Sequence, residues 1–510
     1  MVRTLRLGTR ASLLAIAQSR GVERALRERC PDLRIEIVPM DTRGDRDRAT
    51  PLADVNDPDF FSAELDRALL DGRIDFTVHS MKDLDVTRPD NIARAALPVR
   101  ENPRDVIVFR GDIADRLRRG EKIRIGSSSP RRQHNVARFL SDGLPALGPQ
   151  PNLRFLPLRG PVHDRVARIS AQPDSPAALD GVVLALAGLE RLWRDPDGRQ
   201  ALRPHLADAR WMVLPLSACP TAPAQGALAI ECRADDAVTL EILAGLHDEQ
   251  TAELVQMELD AIGALPTSQQ PGVGATAVSH ATLGGLLYRR GARDESCAIV
   301  WKSPAAPADR DRVNAWDGGA WQSEIERSTL PFAINLEQQP AIFIAHWFAA
   351  PAELADRAGA RIWVSGTKSW RKLAARGLWV EGCADNLGFA AIVPTLDSDV
   401  LNLPELTRWT VLTRRGAEAG WRDTRVGHIV PTYEISGPHA SQIENARQDI
   451  SMSTDFFWGS IEQFRAVAAW LPDNARHACG AGKTAEALRD AGVDAPLVFP
   501  SRREWQAWLR

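Results

Sequence analysis

Four segments in the first half of the chain combine one candidate acid with many cations. They are GTRAS at Gly8 to Ser12, HSMKD at His79 to Asp83, SSSPRRQ at Ser127 to Gln133 and LRGPVHDR at Leu158 to Arg165. The cations at or near predicted strand ends are Arg10, Lys82, Arg131, Arg132, Arg159, Arg165 and Arg191. Open α/β sheets hold ligands in loops at strand ends, and guanidinium groups bind carboxylates bidentately. The pattern predicts one basic cleft for a polyanionic substrate and chemistry that needs one carboxylate.

Asp83 is the candidate acid of this cleft. It follows Lys82 after a predicted strand, so its carboxylate would point from a strand end into the cleft. A fixed carboxylate in a dry pocket can transfer a proton and stabilise a cation that forms during the reaction. The alternative for Asp83 is a turn or helix N-cap residue. Lys82 is either a ligand contact or only a charge partner of Asp83.

The segment GSSSPRRQ predicts an anion site at a helix N-terminus. Backbone N–H groups, the helix dipole and the hydroxyls of Ser128 and Ser129 would all favour an anion there. The alternative is that Arg131 and Arg132 form a solvated surface pair.

Composition limits the classes of function. A chain of 510 residues predicts two to four domains, and a net charge of −3 argues against nucleic-acid binding because the cations are local. No apolar run approaches the roughly 20 residues of a membrane span, and MVRTLRLGTR leads directly into a strand, so we expect a cytoplasmic protein without membrane contact. The six cysteines form no metal-type cluster, so neither a metal site nor a disulfide framework is expected.

Apolar runs and amphipathic helical segments alternate along the N-terminal third, which predicts an α/β fold with a mostly parallel sheet. The spacing allows two lobes, one ending near Pro98 and one near Ala207. The Pro-, Ala-, Asp- and Gly-rich stretch at 303–321 reads as a linker. Thirteen of the fifteen tryptophans follow residue 300, so we expect a separate C-terminal α/β unit. Those tryptophans would bury either a partner surface or the unit's own core, and the oligomeric state stays open.

From about Leu5 to Pro304 the chain resembles the hydroxymethylbilane synthases, also called porphobilinogen deaminases. Beyond the four segments above, the resemblance rests on TRGDRD (Thr42 to Asp47), FFSAELDRALLDGRIDFTVHS (Phe60 to Ser80), NPRDVIV (Asn102 to Val108), LALAGLERL (Leu184 to Leu192) and AQGALAIECR (Ala224 to Arg233). It implies an enzyme that condenses four porphobilinogen units, releasing ammonia, to a linear tetrapyrrole. Asp83 would be its catalytic acid.

The resemblance also implies site residues and domains. Residues matching positions that hold cofactor or substrate carboxylates are Arg10, Ser12, Arg131, Arg132, Arg159, Arg165 and Arg191, and Phe61 matches an aromatic near the pyrroles. The alternative for Phe61 is ordinary helix packing. The expected fold is two hinged lobes like a periplasmic binding protein, at 1–98 (with a return segment at about 208–233) and 99–207, then a small α+β domain at 234–304. A linker at 305–335 and a C-terminal region at 336–510 complete the expected organisation.

The end of the chain loosely resembles uroporphyrinogen-III synthases, in ARHACGAGKTAEALRDAGV and the following VFPS at Val498 to Ser501. This implies a second activity that closes the linear tetrapyrrole to uroporphyrinogen III. Thr484 would hold a substrate carboxylate or, alternatively, cap a helix.

One departure concerns the dipyrromethane primer, which the family carries on a cysteine. Gln269 stands at that position, and an amide cannot form a thioether. Three readings compete. The retained arginines would hold dipyrromethane without a covalent bond, Cys219 or Cys297 would anchor it, or activity would be lost and leave a non-enzymatic pyrrole- or tetrapyrrole-binding or regulatory protein.

Overall fold

The computed structural model describes residues 4–42, 62–85, 87–306, 314–319, 326–356, 359–436 and 440–510. The first part of the chain contains β1 Thr4–Arg10, α1 Leu13–Arg29, β2 Arg34–Met40, α2 Ala63–Leu70, β3 Phe76–Ser80, β4 Ile92–Ala96, β5 Asp105–Phe109, α3 Ile113–Arg118, β6 Lys122–Gly126, α4 Pro130–Gly143, β7 Asn152–Leu156, α5 Val162–Ala167, β8 Gly181–Ala185, α6 Leu186–Arg194, α7 Pro196–Leu206, β9 Arg210–Val213, β10 Leu228–Arg233, α8 Ala237–Ala244, α9 Glu249–Gly263, β11 Gly274–His280, β12 Gly284–Arg290 and β13 Ala298–Trp301.

The second part of the chain continues the alternation of strands and helices. It contains β14 Ala315–Trp316, β15 Arg327–Thr329, β16 Ala341–Ile344, β17 Arg361–Val364, α10 Thr367–Ala374, β18 Val380–Cys383, α11 Val393–Leu396, β19 Trp409–Arg414, β20 His428–Ile435, α12 Ala440–Met452, β21 Asp455–Trp458, α13 Ile461–Val467, β22 Arg476–Gly480, α14 Thr484–Asp490, β23 Leu497–Phe499 and α15 Arg502–Leu509. The mixed α/β class predicted from the sequence is confirmed.

Two sheets carry the candidate cleft. Across the described residues, the first has the order β2-β1-β3-β10-β4 and the second the order β7-β6-β8-β5-β9. β10 enters the first sheet antiparallel to both β3 and β4, so the chain leaves this sheet after β4 and returns to it after the second sheet. The segments 97–104 and 214–227 therefore both cross between the sheets. We call them the crossing segments.

The position of β9 differs from the expected domain boundary. β9 lies inside the predicted return segment at 208–233, yet it pairs with β5 in the second sheet, where Val106 faces Val213. Its side chains are buried from Trp211 to Val213. The return to the first sheet therefore begins after Val213. The division into two hinged lobes remains a prediction.

A smaller antiparallel sheet follows, in the order β11-β12-β13. The helix α9 packs on it through Leu254, Met257 and Ala261, which meet Ala275 and Leu287 of the sheet.

The C-terminal part folds around two further sheets. Within the described ranges their orders are β15-β20-β19-β16-β17-β18 and β14-β21-β22-β23, with parallel pairing except between β15 and β20. The stretch predicted as a linker at 305–335 thus contributes β14 to one sheet and β15 to the other. No helix in the described parts of the chain has the length and apolar character needed to span a bilayer.

The C-terminal part shares a hydrophobic core with the second sheet of the cleft. The Trp379 ring meets Phe109 edge to face at 5.4 Å, and its indole N–H donates to the carbonyl of Trp211 at 3.0 Å. Trp370 meets Phe139 in the same way and donates to the carbonyl of Gly143 at 2.9 Å. Both indoles bury their apolar area and satisfy their one donor, which is how tryptophan stabilises an interface. These two tryptophans bury a surface within the chain itself.

Candidate active site

The candidate acid lies in a short turn at the end of a buried strand. The 3-10 turn Met81–Asp83 follows β3, and the Met81 amide donates to the carbonyl of Ala227 at 3.0 Å. Met81 is buried, whereas Lys82 and Asp83 are exposed to solvent. The turn is therefore anchored beneath and presents its acid and its ammonium group outward. The predicted position of Asp83 at a strand end is what the structure has.

Several predicted cations lie close enough to Asp83 to interact with it or with one another. Desolvation has the largest effect on the pKa of Lys82 and lowers it, Asp83 raises it, and Arg132 and Arg131 lower it further. Solvent nevertheless reaches the Lys82 side chain. Burial lowers the pKa of Arg165 to about 10, and Arg132, Asp83 and Arg159 also act on it. These interactions bring three of the four sequence segments together at one site.

The anion site predicted at GSSSPRRQ begins a helix, as expected. Ser129 caps α4 by accepting from the Arg132 amide at 3.4 Å, and Pro130 occupies the first turn. The hydroxyl of Ser128 donates to the carbonyl of Leu158 at 3.0 Å and lies 2.8 Å from the Leu158 amide, which donates to it. Ser128 therefore joins the start of α4 to the segment that carries Arg159. Anion binding by either serine stays a prediction.

Arg131 and Arg132 do not form a solvated pair, because both bind the buried Asp105. Arg131 Nη1 lies 3.0 Å from Asp105 Oδ2 and 2.9 Å from the Pro220 carbonyl oxygen. Arg132 Nη2 lies 2.7 Å from Asp105 Oδ1, and its Nε lies 3.2 Å from Oδ2. Gln225 Nε2 donates to the same carboxylate at 2.8 Å. Asp105 thus fixes both guanidinium groups.

Burial alone would raise the pKa of Asp105, but Arg132 and Arg131 hold it well below its usual range. The carboxylate therefore stays charged, and two guanidinium groups share its single negative charge. The site keeps net positive charge for a ligand. No role for Asp105 was predicted from NPRDVIV. An Asp at the first position of an otherwise apolar strand was a usable signal, since buried carboxylates need partners.

The other predicted residues bind backbone carbonyls, end a strand or cap a helix. Arg165 Nε donates to the Gly160 carbonyl at 2.6 Å, and Arg191 Nη2 donates to the Gly226 carbonyl at 2.6 Å. Burial lowers the pKa of Arg191 to about 10, which Glu101 and Glu190 oppose. Arg10 is the last residue of β1. The pKa of His79 is lowered to about 3, mainly by burial and further by the positive charges of Arg88 and Arg10. Ser12 caps α1, accepting from the Ala15 amide at 3.3 Å.

Gln269 lies in an exposed turn beside the helix that carries Arg131. Its amide donates to the Pro266 carbonyl at 2.8 Å, and the following turn Gln270–Gly272 packs against α4. A Cβ added to Gly274 would approach Arg131 Cδ to 3.1 Å. Gln269, the predicted position of the family's cysteine, therefore directly precedes a turn that packs on the helix of Arg131 and Arg132. Phe61 and residues 43–47 of TRGDRD lie outside the described residues.

Neither alternative cysteine is activated. Cys219 and Cys297 are buried. Burial raises the pKa of Cys297 to about 12 and that of Cys219 further. The thiolate is the nucleophile in thioether formation, and burial in apolar surroundings suppresses it.

Three groups of metal-ligand type converge beneath the cleft, at Asp66, His79 and Glu231. The guanidinium group of Arg88 bridges the two carboxylates, at 2.6 Å from Asp66 and 2.9 Å from Glu231. It already supplies the positive charge that a metal ion would bring.

The C-terminal candidate Thr484 is half-buried at the first residue of α14, where Lys483 rather than Thr484 is the N-cap. The Lys483 ammonium lies 5.3 Å from the ring centre of Trp421, and Arg414 Nη2 lies 2.8 Å from Glu462 Oε1. Both contacts join the two C-terminal sheets. Thr484 therefore borders the junction between these sheets.

The sequence of this chain is similar to those of known proteins. The sequence model described as "Porphobilinogen deaminase, dipyromethane cofactor binding domain" matches residues 5–241. Porphobilinogen deaminase 1 of Streptomyces avermitilis is 38% identical over 281 residues, which are 54% of this chain and 78% of that protein. The chain belongs to the porphobilinogen deaminase family. The matched residues include the Asp83 turn, Asp105 and the predicted arginines of the cleft.

Solved structures give weaker likenesses. The methionine-binding protein MetQ has a TM-score of 0.26 and 12% identity, covering 49% of this chain and 94% of that one. Uroporphyrinogen-III synthetase from Helicobacter pylori has a TM-score of 0.25 and 13% identity, covering 36% of this chain and 91% of that one. The assignment to the porphobilinogen deaminase family rests on the sequence matches alone.

Proposed function

We propose that this protein is a hydroxymethylbilane synthase, a transferase that condenses four porphobilinogen units and releases ammonia. The observation that carries the proposal is the Asp83 turn, where one exposed carboxylate lies among Lys82, Arg132 and Arg165. The cations suit the acetate and propionate groups of the substrate. The Asp83 carboxylate suits the release of ammonia from the aminomethyl group of the substrate.

In each condensation the aminomethyl C–N bond breaks and the nitrogen leaves as ammonia. The methylene carbon then bonds to the α-carbon of another pyrrole, and that carbon loses its proton. Asp83 would hold the departing protonated amine, stabilise the positive charge left on the pyrrole, and take up the α-proton. Positioned carboxylates serve both proton transfer and charge stabilisation. The arginines would hold the acidic side chains and keep the aminomethyl carbon near Asp83.

The donor set also fits dipyrromethane held without a covalent bond. Its carboxylates match the guanidinium groups on the helix beside the Gln269 turn and the Lys82 ammonium that interacts with them. Charged hydrogen bonds contribute about 1.5–3 kcal/mol each. When bound, dipyrromethane supplies the pyrrole carbon to which the first substrate unit is joined. The burial of Cys219 and Cys297 speaks against the reading in which either cysteine anchors it.

The first test is Asp83→Asn in the full chain, with Asp85→Asn as the matched control two residues away. Among the described residues, Asp85 accepts a hydrogen bond from the Thr87 amide at 3.2 Å, and an asparagine can accept it as well. We expect Asp83→Asn to lower turnover of porphobilinogen at least about 100-fold, in the range of general acid–base contributions, and Asp85→Asn to stay within about threefold of the parent. Turnover retained in Asp83→Asn would refute the assignment of the acid.

The second test compares native and denatured masses, with an absorption spectrum. We expect a dipyrrole that the parent loses on denaturation and that a Gln269→Cys variant retains. A dipyrrole retained by the denatured parent would instead indicate covalent attachment at another residue. No dipyrrole and no turnover would favour the second candidate, a non-enzymatic pyrrole-binding protein, which the loss of a nucleophile at Gln269 supports.

For the C-terminal part we propose a uroporphyrinogen-III synthase. The junction of its two α/β sheets, bordered by Thr484 and Lys483, supports this assignment together with the sequence likeness around GAGKTAEAL. The test supplies hydroxymethylbilane to Thr484→Val and to the parent, and separates the cyclic products. We expect the parent to form uroporphyrinogen III and Thr484→Val to form less of it. If the parent gives only the uninverted isomer, which forms without an enzyme, the proposal is refuted.

A further inference from the structure

One carboxylate of the C-terminal part is buried against residues 5–241, the part that matches the family model and that we call the deaminase part. Asp385 follows β18, and its side chain is fully buried. Its Oδ1 accepts from the Ser217 amide at 3.1 Å and from the Ser217 hydroxyl at 2.6 Å. Its Oδ2 accepts from the Leu216 amide at 3.1 Å and from Arg104 Nη2 at 3.2 Å. Four donors from residues far away in the sequence therefore converge on one acid.

The backbone at this acid has the left-handed conformation. The φ angles are +50° at Asp385 and +62° at Asn386. Non-glycine residues adopt this region rarely, although Asp and Asn tolerate it best. Consecutive residues in this conformation persist where surrounding contacts hold them. The hydrogen bonds of Asp385 to the deaminase part are such contacts.

The partners of Asp385 lie on both crossing segments and next to the arginine cluster. Arg104 directly precedes Asp105, the carboxylate that holds Arg131 and Arg132. Leu216 and Ser217 lead to Pro220, whose carbonyl accepts from Arg131 at 2.9 Å. A shift of the first crossing segment would thus move Asp105, and a shift of the second would move the Pro220 carbonyl. Both accept hydrogen bonds from the guanidinium groups of the cluster.

A second contact joins the same regions. Asn102 Nδ2 donates to Thr395 Oγ1 at 2.7 Å, and Asn102 Oδ1 accepts from the Arg104 amide at 3.1 Å. Two residues of the C-terminal part therefore hold this segment: Thr395 binds Asn102, and Asp385 binds Arg104.

We propose that Asp385 is a positioning residue for the deaminase reaction: by fixing the two crossing segments, it sets the orientation in which Arg131 and Arg132 meet substrate carboxylates. The inference rests on the proposed function of the cleft. The hydrogen bonds of Asp385 described above go to Arg104, Leu216 and Ser217, so it acts on the guanidinium groups through Asp105 and Pro220. The C-terminal part thereby becomes part of the deaminase, whatever reaction it catalyses itself.

The test is Asp385→Asn in the full chain. The asparagine keeps the shape of the side chain but removes the charge that compensates Arg104 and turns one acceptor into a donor. Breaking a buried pair leaves an unpaired charge, so the crossing segments should shift. We expect KM for porphobilinogen to rise about tenfold with kcat within about twofold, since ground-state binding is the affected step. A folding defect alone would lower the active fraction and so reduce kcat without changing KM.

Two further variants make the test decisive. Ser217→Ala removes only the hydroxyl donor of Asp385, and we expect a smaller KM increase of about threefold. It serves if Asp385→Asn does not fold. Glu434→Gln is the matched control, because this exposed acid of β20 pairs only with Arg415 among the described contacts, at 2.7 Å. We expect it to leave KM and kcat unchanged.

Unchanged KM in folded Asp385→Asn, or in Ser217→Ala when Asp385→Asn does not fold, would overturn the inference. If the parent shows no turnover, the proposed function fails, and calorimetric titration with porphobilinogen decides the positioning role separately. Weaker binding of porphobilinogen by folded Asp385→Asn than by the parent, or by Ser217→Ala where Asp385→Asn does not fold, would support the positioning role. Equal affinity, or absence of binding by the parent, would overturn it.

Discussion

Replacing Asp105 with Asn should destabilise the region around the arginine cluster strongly. In the structure Asp105 is fully buried and accepts four side-chain hydrogen bonds, three from Arg131 and Arg132 and one from Gln225. Asparagine offers one oxygen and no charge, so two guanidinium groups lose their buried counter-ion. Removing one partner of a buried ion pair destabilises by about 3–5 kcal/mol.

The assay is amide hydrogen exchange by mass spectrometry, because a multidomain chain does not unfold in one step. Peptides from β5 and α4 report the local opening free energy. A loss of about 3 kcal/mol corresponds to roughly 150-fold faster exchange, at 1.36 kcal/mol per tenfold change. Peptides from the four-stranded C-terminal sheet should exchange as in the parent.

Asp112→Asn is the matched control. Asp112 lies after β5 like its partner Arg110, and its side chain is 43% exposed. Exposed ion pairs contribute about 0–1 kcal/mol, so exchange should change less than about fivefold. Unchanged protection in Asp105→Asn would refute the view that this carboxylate holds the two arginines in place.

Two further predictions concern buried titratable groups. Burial lowers the pKa of His79 to about 3 from an unfolded value near 6.5. The unfolded state therefore binds more protons between these values, and stability falls with decreasing pH by about 1.4 kcal/mol per unit. Exchange of β3 peptides between pH 6 and pH 4, corrected for intrinsic rates, should show a steeper loss of protection in the parent than in His79→Gln; equal slopes would contradict the burial of a neutral imidazole. Iodoacetamide applied to the native protein should alkylate the half-buried Cys30 and spare Cys219 and Cys297, which peptide mapping checks; labelling of either buried thiol at the rate of Cys30 would reopen the covalent alternative.

Much of the candidate site was predictable because its signals are local. The apolar run before HSMKD predicts a strand end, and a strand end is where Asp83 and Lys82 lie. Ser129 followed by Pro130 predicts a helix start, since a capping hydroxyl and a fixed φ both favour one. These outcomes depend on neighbouring residues alone. The alternation of apolar runs and amphipathic segments predicted the α/β class for the same reason.

Sheet order and buried partners could not be predicted in this way. β10 enters between β3 and β4, and β9 joins the second sheet rather than the returning segment. Both depend on which strand edges meet once the chain is compact. The sequence pattern predicted Arg131 and Arg132 as ligand contacts or as a surface pair, whereas in the structure both bind Asp105.

The sequence by itself determined the residues that can do chemistry and the ends of elements on which they lie. Tertiary structure decided which charges meet: Arg104 and Asp385 are 281 residues apart and share one buried hydrogen bond. The reason is physical. Caps and strand ends are stabilised by neighbours along the chain, whereas a buried charge is stabilised by whatever partner the packing of the sheets brings to it.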